Sequence, residues 1–215
     1  MIQGCLYLYG ERSSLFNIVL HEPEKPDNTG NIGRTCVITG SALHLIYPIG
    51  FRLTRTNIHH AGLDYWDRLK LYKHDNYEAF NNFVRTSRSV NDNVGVSDNV
   101  GASDNVGASI ASPRMGELYE PTVWFATTKA HKCYTEVKFK DGDYIMFGKE
   151  SAGIPEEILA NDEEHCIRIP MIGTERSLNL SNSVAIILYE ALRQNNFKDL
   201  EERGELHRLK YEKKE

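Results

Sequence analysis

The hydrophobic positions fall into short unbroken runs separated by longer stretches of mixed pattern. Phe16 to Leu20, Ala42 to Tyr47, Thr122 to Ala126 and Tyr144 to Phe147 are such runs. Short apolar runs bounded by turn residues are the mark of strands buried on both faces, as in a parallel sheet. Arg68 to Tyr72 includes a further short strand. Between the runs the pattern turns helical. Gly30 to Thr39 reads as a helix that Thr29 or Asn28 can cap and Gly40 can end. Asp75 to Val84 reads as a second helix, and Pro155 to Ala160 as a short one with proline at its first position. Strands alternating with helices predict an α/β fold, a mostly parallel sheet flanked by helices.

The pattern is most informative between Ile167 and Glu190. Ile167-Arg168-Ile169 is a β-branched strand that stops at Pro170, which has no N–H to donate to a ladder. Met171 to Leu178 has neither period and reads as a loop. From Leu180 the apolar residues Leu180, Val184, Ile187, Leu188, Ala191 and Leu192 recur at three- and four-residue steps, one apolar face of a helix. Asn179 or Ser181 can cap its first free amides. In a parallel sheet this loop shares an edge with three others, His21 to Arg34, Ala126 to Lys129, and Gly148 to Gly153. Ligands bind at such strand ends. Gly148 and Gly153 can let backbone come close to a ligand. The glycine loop is neither a dinucleotide fingerprint nor a P-loop, and no nucleophile elbow or metal cluster accompanies it.

Composition narrows the picture. A chain of 215 residues with 40% hydrophobic content suits one domain with a real core. The net charge of −5 supplies no global attraction to nucleic acid, so any RNA contact must come from a local patch. Arg52 to Lys73 is that candidate: Arg52, Arg55, His59, His60, Arg68, Lys70 and Lys73 interleave with Tyr65, Trp66 and Tyr72, a mixture suited to phosphates and base stacking. The four cysteines are scattered without a C-x-x-C pair, so free thiols in a cytoplasmic setting are expected, with no metal. No apolar run is long enough to span a membrane. Residues 1–15 read as an N-terminal extension, 16–196 as the domain, and 197–215 as a charged tail with the character of a solvated helix. Within the domain, Asn91 to Ser109 carries three copies of a hexapeptide, NDNVGV, SDNVGA and SDNVGA. Three short, small-residue repeats cannot bury enough surface to offset ordering entropy, so a flexible insertion at about 88–115 is expected.

Four motifs in order make the reading specific: NIVLHEPEKPDNTGNIGRTC (Asn17 to Cys36), HAGLDYW (His60 to Trp66), DGDYIMFGKESAGIPEEIL (Asp141 to Leu159) and IRIPMIGTERSLNLSNSVAIILYEALRQ (Ile167 to Gln194). Together they resemble the SPOUT superfamily of RNA methyltransferases, nearest to its small tRNA (cytidine(34)-2′-O)-methyltransferase branch. The resemblance implies a C-terminal deep trefoil knot, S-adenosylmethionine as cofactor with S-adenosylhomocysteine as product, a homodimer, and the anticodon loop of tRNA as partner. Its substrate would be the 2′-hydroxyl of the wobble cytidine or modified uridine, notably in leucine tRNAs. Carried over by motif, Ala126, Thr127, Gly148, Glu150, Ile169, Met171, Ser177 and Leu178 would hold the cofactor. Asn28, Asn31 and Arg34, from the N-x-G-x-x-x-R motif, would face the RNA. Arg34, Ser177 and Asn179 would serve catalysis, and Tyr189 and Glu190 would lie on the dimer helix. The extension and the repeats depart from the family pattern and touch none of its motifs. Methylation of another RNA position, or a non-catalytic knotted RNA binder, are the competing readings.

Overall fold

The computed structural model describes residues 15–53, 63–92, 120–173 and 177–209. The N-terminal extension up to residue 14, the hexapeptide repeats from residue 93 onward, and Arg55, His59 and His60 of the basic segment lie outside these residues.

Seven strands form one sheet: β1 (Asn17–His21), β2 (Ala42–Ile46), β3 (Leu71–His74), β4 (Val123–Ala126), β5 (Lys132–Cys133), β6 (Tyr144–Phe147) and β7 (Cys166–Arg168). Their order is β3-β2-β1-β6-β4-β7-β5, and each pairing is parallel. The helices are α1 (Pro26–Thr39), α2 (Tyr77–Asp92), α3 (Glu156–Leu159) and α4 (Leu180–Gln194). Side chains alternate across the strands, as the two-residue period of a pleat requires. Ile18 and Leu20 of β1 and Ile145 and Phe147 of β6 meet α1 and α4 through Ile32, Cys36, Val184, Ile187 and Leu188. Val19, Tyr144 and Met146 face the other way, toward Phe80 and Val84 of α2 and Ile154 and Leu159. The sheet is therefore covered on both faces, which is why its strands read as continuous apolar runs.

Several elements differ from the sequence expectation. α1 begins at Pro26, one turn before Gly30, with Lys25 in the N-cap position and no side-chain cap. Proline at the first position has the helical φ already set and lacks the amide a cap would satisfy. Asn28 and Thr29 look like caps in the sequence but are buried inside the first turn. Pro155 is likewise the N-cap of α3 rather than its first residue. α2 extends to Asp92, well past Val84 and over the first residues of the flexible insertion expected at about 88–115. β5 was not anticipated, since two residues on a sheet edge carry no period. The tail is exposed and without regular structure across 201–209, not helical. The cap by Asn179 is present: its Oδ1 accepts from the amides of Ser181 at 2.9 Å and Asn182 at 3.4 Å.

A buried polar cluster sits inside the sheet. His44 on β2 is 1% exposed; its Nδ1 lies 3.0 Å from Nε2 of His74 on β3, and its Nε2 lies 3.3 Å from Oδ1 of Asn17. Burial, with His74 beside it, holds His44 well below the ordinary 6.5, and burial lowers His74 and His21 too. Histidines kept neutral in the fold but free to protonate when unfolded make the unfolded chain bind more protons below about 6.5. Their contribution to stability is complete above that pH and is lost as pH falls below it. Asp143 opposes them. Burial pushes its carboxyl up to about 6, against the pull of amide donors from Lys140 and Thr122. Its share of stability is present below its unfolded value and lost as pH rises through about 6. Three histidines against one carboxyl give a net loss in acid. The urea midpoint is expected to be lower at about pH 5.5 than at about pH 7.5, and a flat or inverted profile would contradict this balance.

Candidate functional site

The strand order places β6 between β1 and β4, so the loops leaving β1, β4, β6 and β7 come together at one edge of the sheet. They enclose a cavity of about 750 Å³, within the ordinary range for a small-molecule site. Lys25 and Asn28 line it from the β1 side, Ala126 to Lys129 from β4, Gly148 to Ile154 from β6, and Ile169, Met171, Ser177 and Leu178 from β7. Leu180, Ser183 and Ile187 of α4 complete it, with Phe147 and Ile167. All eight residues expected at a cofactor are thus walls of one space.

The loop after β6 has an unusual build. Gly148 lies against the returning backbone of its own loop: a Cβ placed there would overlap main-chain atoms of Gly153 and Ile154. The missing side chain therefore lets the loop close on itself at the wall of the cavity. Gly153 has φ +76°, the left-handed region that favours glycine, and its amide donates to the carbonyl of Lys149 at 2.8 Å.

A chain of hydrogen bonds ties this loop to the start of α1 and of α4. Glu150 accepts from the backbone amide of Glu24 and from the side-chain amide of Asn28, each at 2.8 Å. Asn28 Oδ1 in turn accepts from Nδ2 of Asn179 at 3.0 Å. Asn179 Oδ1 closes the path on the α4 amides. Glu24 also binds across the loops: its carboxylate accepts from the Ser151 amide at 2.8 Å and hydroxyl at 2.7 Å. Those two bonds hold Glu24 below the ordinary carboxylate range. Lys149 reaches Glu22 at 2.9 Å, which raises the lysine above its usual value.

The residues expected at an RNA are divided by this arrangement. Asn28, 6% exposed, is held inside the network. Asn31 and Arg34 are exposed on α1, along a stripe with Asp27 and Ile38, and do not line the cavity. Ser177 is exposed at the cavity rim; Asn179 caps α4 and braces Asn28. Of the aromatics of the basic segment, one is buried and a second is half-buried against the sheet. Tyr65 is 4% exposed and its hydroxyl donates to the Gly30 carbonyl at 2.8 Å; Tyr72 stacks on His44 at 4.5 Å. The partnership of Glu24 with Ser151 was not anticipated from sequence, because 127 residues separate them and nothing local marks either one. Among the described residues no group of three His, Cys, Asp or Glu could hold a metal ion, and no helix is long and apolar enough to cross a membrane.

The sequence profile of the SpoU rRNA Methylase family matches residues 15–92 and 114–189. A protein of Methylovorus glucosotrophus, named tRNA (cytidine(34)-2′-O)-methyltransferase, is 39% identical over 184 residues, covering 85% of this chain and 97% of its own. A solved structure described as "Structural insights into the 2-OH methylation of C/U34 on tRNA" superposes with a TM-score of 0.63 at 35% identity, covering 84% of this chain and 96% of that one. The SpoU methyltransferase AviRb of Streptomyces viridochromogenes, solved with the cofactor AdoMet, shares the fold at a TM-score of 0.64 and 18% identity, over 87% of this chain and 60% of its own.

Proposed function

Because the chain belongs to the SpoU rRNA Methylase family, we propose that it is a tRNA methyltransferase that places a methyl group on the ribose 2′-oxygen of nucleotide 34, taken from S-adenosylmethionine. The observation that carries this reading is the convergence of four loops, distant in sequence, on one cavity beside the helix bearing Asn31 and Arg34. Its relatives named for methylation at cytidine 34 support the position.

The cavity suits the cofactor. Ala126, Phe147, Ile167, Ile169, Leu178 and Ile187 provide apolar wall for a purine, while Thr127 and Ser177 add hydroxyls for the ribose and amino-acid ends. When bound, S-adenosylmethionine supplies the electrophilic methyl group. The residues of the chain then have two tasks. Glu150, Asn28 and Asn179 fix the loops, so that the donor is held in one place. Arg34 binds a phosphate beside the acceptor nucleotide and orients the 2′-oxygen; its guanidinium has no acceptor for a proton at ordinary pH. Precise orientation is itself a large part of such a rate.

Finer elements belong to the same reading. Leucine tRNAs are the substrates, acted on in the cytoplasm. The C-terminal part of the chain forms a deep trefoil knot; the packing of α4, which follows β7 in the chain, with α1 over β1 and β6 supports this. The enzyme is a homodimer through the outer face of α4. Large apolar side chains there stand in solvent: Ile186 37% and Tyr189 45% exposed. Glu190 contributes indirectly, since its carboxylate accepts from Arg193 and Gln194 of its own helix.

The direct test is incubation of unfractionated tRNA with the protein and labelled S-adenosylmethionine, followed by mass mapping of the modified nucleotide. A single 2′-O-methyl group at position 34 is expected. A methyl group elsewhere, or none, would overturn the reading. A second outcome concerns the network. Glu150→Ala leaves the Glu24 amide and the Asn28 side chain without their acceptor, and each lost partner costs about 1–3 kcal/mol where water cannot replace it. Both groups are part-buried, so the lower end applies, and S-adenosylmethionine should bind roughly ten-fold more weakly by calorimetry. Unchanged affinity would show that the loops hold their shape without Glu150.

A further inference from the structure

We infer that Trp66 is a further substrate-binding residue, a platform on which a base of the acceptor loop stacks beside Arg34; the inference rests on the function proposed above. Trp66 belongs to the helical turn Leu63–Arg68. That turn lies along α1 and is fastened to it at two points. The buried Tyr65 hydroxyl donates to the Gly30 carbonyl at 2.8 Å. One turn further along α1, a Cβ placed on Gly33 would stand 3.2 Å from Cζ3 of Trp66 and 3.3 Å from Leu69. A side chain there would have to move the indole, so the bare glycine is its seat.

Trp66 differs from its neighbours in what the fold asks of it. Tyr65 is buried, Tyr72 stacks on His44, and Leu69 and Leu71 pack against the core. Trp66 is half-buried and belongs to neither apolar cluster. Its pyrrole nitrogen, on the ring edge away from Gly33, donates to no acceptor among the described residues. Its place relative to Arg34 follows from the helix. Arg34 comes one residue after Gly33, about 1.5 Å along α1 and about 100° round it. It therefore stands next to the seat of the indole, on the exposed side, and not across the helix from it. Charge does not single this place out, since Asp67 stands beside Arg68 in the same turn. Stacking needs no charge: every base has a π face, and an unstacked loop base is gripped by an aromatic ring whatever its sequence. A loop nucleotide carries its base beside its phosphate, so a phosphate held by Arg34 brings a base to Trp66. The ring is already held in place by its seat, so stacking costs it little rotamer freedom.

The test compares the parent with Trp66→Phe and Trp66→Leu. The chain has two tryptophans, and the other, Trp124, is buried on β4. Titration with unfractionated tRNA should therefore quench the tryptophan fluorescence of the parent and leave that of Trp66→Phe nearly unchanged. Filter binding of the same tRNA should weaken by about five- to thirty-fold in Trp66→Leu, the lower part of the range for one base on an aromatic ring, and much less in Trp66→Phe, which keeps a ring. S-adenosylmethionine affinity, by calorimetry, is expected to stay the same in both variants, because Trp66 does not line the donor cavity. A tryptophan that only seats α1 gives a different result: donor binding falls together with tRNA binding, since Asn28 of α1 carries the loop network. That outcome would overturn the inference, as would parent fluorescence that bound tRNA leaves unmoved. The fluorescence comparison needs only the parent and Trp66→Phe, so it decides the matter even where the leucine variant fails to fold. Binding and quenching are read without turnover. A protein that stacks tRNA on Trp66 but methylates another position would strike the proposed function alone, and one that methylates position 34 with its fluorescence unmoved would strike this inference alone.

Discussion

Arg34→Ala should reduce methyl transfer to tRNA by about 10²–10⁴-fold, the range for losing a positioned proton-handling or orienting group, and leave S-adenosylmethionine affinity unchanged. The split follows from the geometry. Arg34 stands on the exposed stripe of α1 and does not line the donor cavity. What seats α1 lies elsewhere: Asn28 in the loop network, Ile32 and Cys36 in the core, and Gly33 against Trp66 and Leu69. Alanine at an exposed helical position costs nothing in helix propensity, so the variant should fold as the parent does. Turnover is measured by methyl incorporation into tRNA, and donor binding by calorimetry. Arg34→Lys adds resolution, because it keeps the charge but loses the two-pronged donor geometry. Partial recovery with lysine points to phosphate attraction, whereas none points to the fork itself. Near-normal turnover in Arg34→Ala would remove this residue from the reaction.

Gly148→Ala should do the reverse, removing donor binding through the loop itself. The added methyl would meet main-chain atoms of Gly153 and Ile154, which cannot rotate aside as a side chain can. Overpacking typically costs about 1–3 kcal/mol. The upper end is expected here, because the loop is pinned on both sides: by the Lys149–Glu22 pair and the Glu24–Ser151 bonds toward β1, and by Ile154, buried in the core beneath. Moving Gly153 also displaces Ser151 and Glu150, and with them the Asn28 and Asn179 contacts. S-adenosylmethionine binding should fall by at least about a hundred-fold, well beyond the effect of Glu150→Ala, which deletes an acceptor but leaves the backbone path alone. Calorimetry beside a urea midpoint measures both effects. Unaltered donor affinity in a folded Gly148→Ala protein would mean that the closed shape of this loop is not needed for binding.

The two residues illustrate how much of the site could be read from the chain. Gly148 stands out in the sequence as a glycine after a buried strand, where backbone can come close to a ligand. What approaches it, the loop's own return, depends on where Gly153 and Ile154 lie in space. Asn28 belongs to a recognisable motif, yet its position beside a helix start made it resemble a cap, and its motif made it resemble an RNA contact. Its two amide atoms instead bridge Glu150 and Asn179, 122 and 151 residues away. No local pattern encodes such pairs. Tyr65 shows the same limit: an aromatic among basic residues looks available for stacking, until burial under α1 and a bond to the Gly30 carbonyl remove it.

By itself, the sequence determined the sheet strands of β1, β2, β4, β6 and β7, the helical face of α4 with its Asn179 cap, and the membership of four loops in one edge. These follow from short-range rules, the periods of two and 3.6 and the behaviour of proline, glycine and asparagine at ends. Only the tertiary structure decided the early start of α1, the edge strand Lys132–Cys133, the neutral histidine pair between β2 and β3, and the network joining Glu24, Glu150, Asn28 and Asn179. The reason is physical. A period records which side of an element is buried, whereas a hydrogen bond between distant side chains exists only once the fold has fixed what stands opposite.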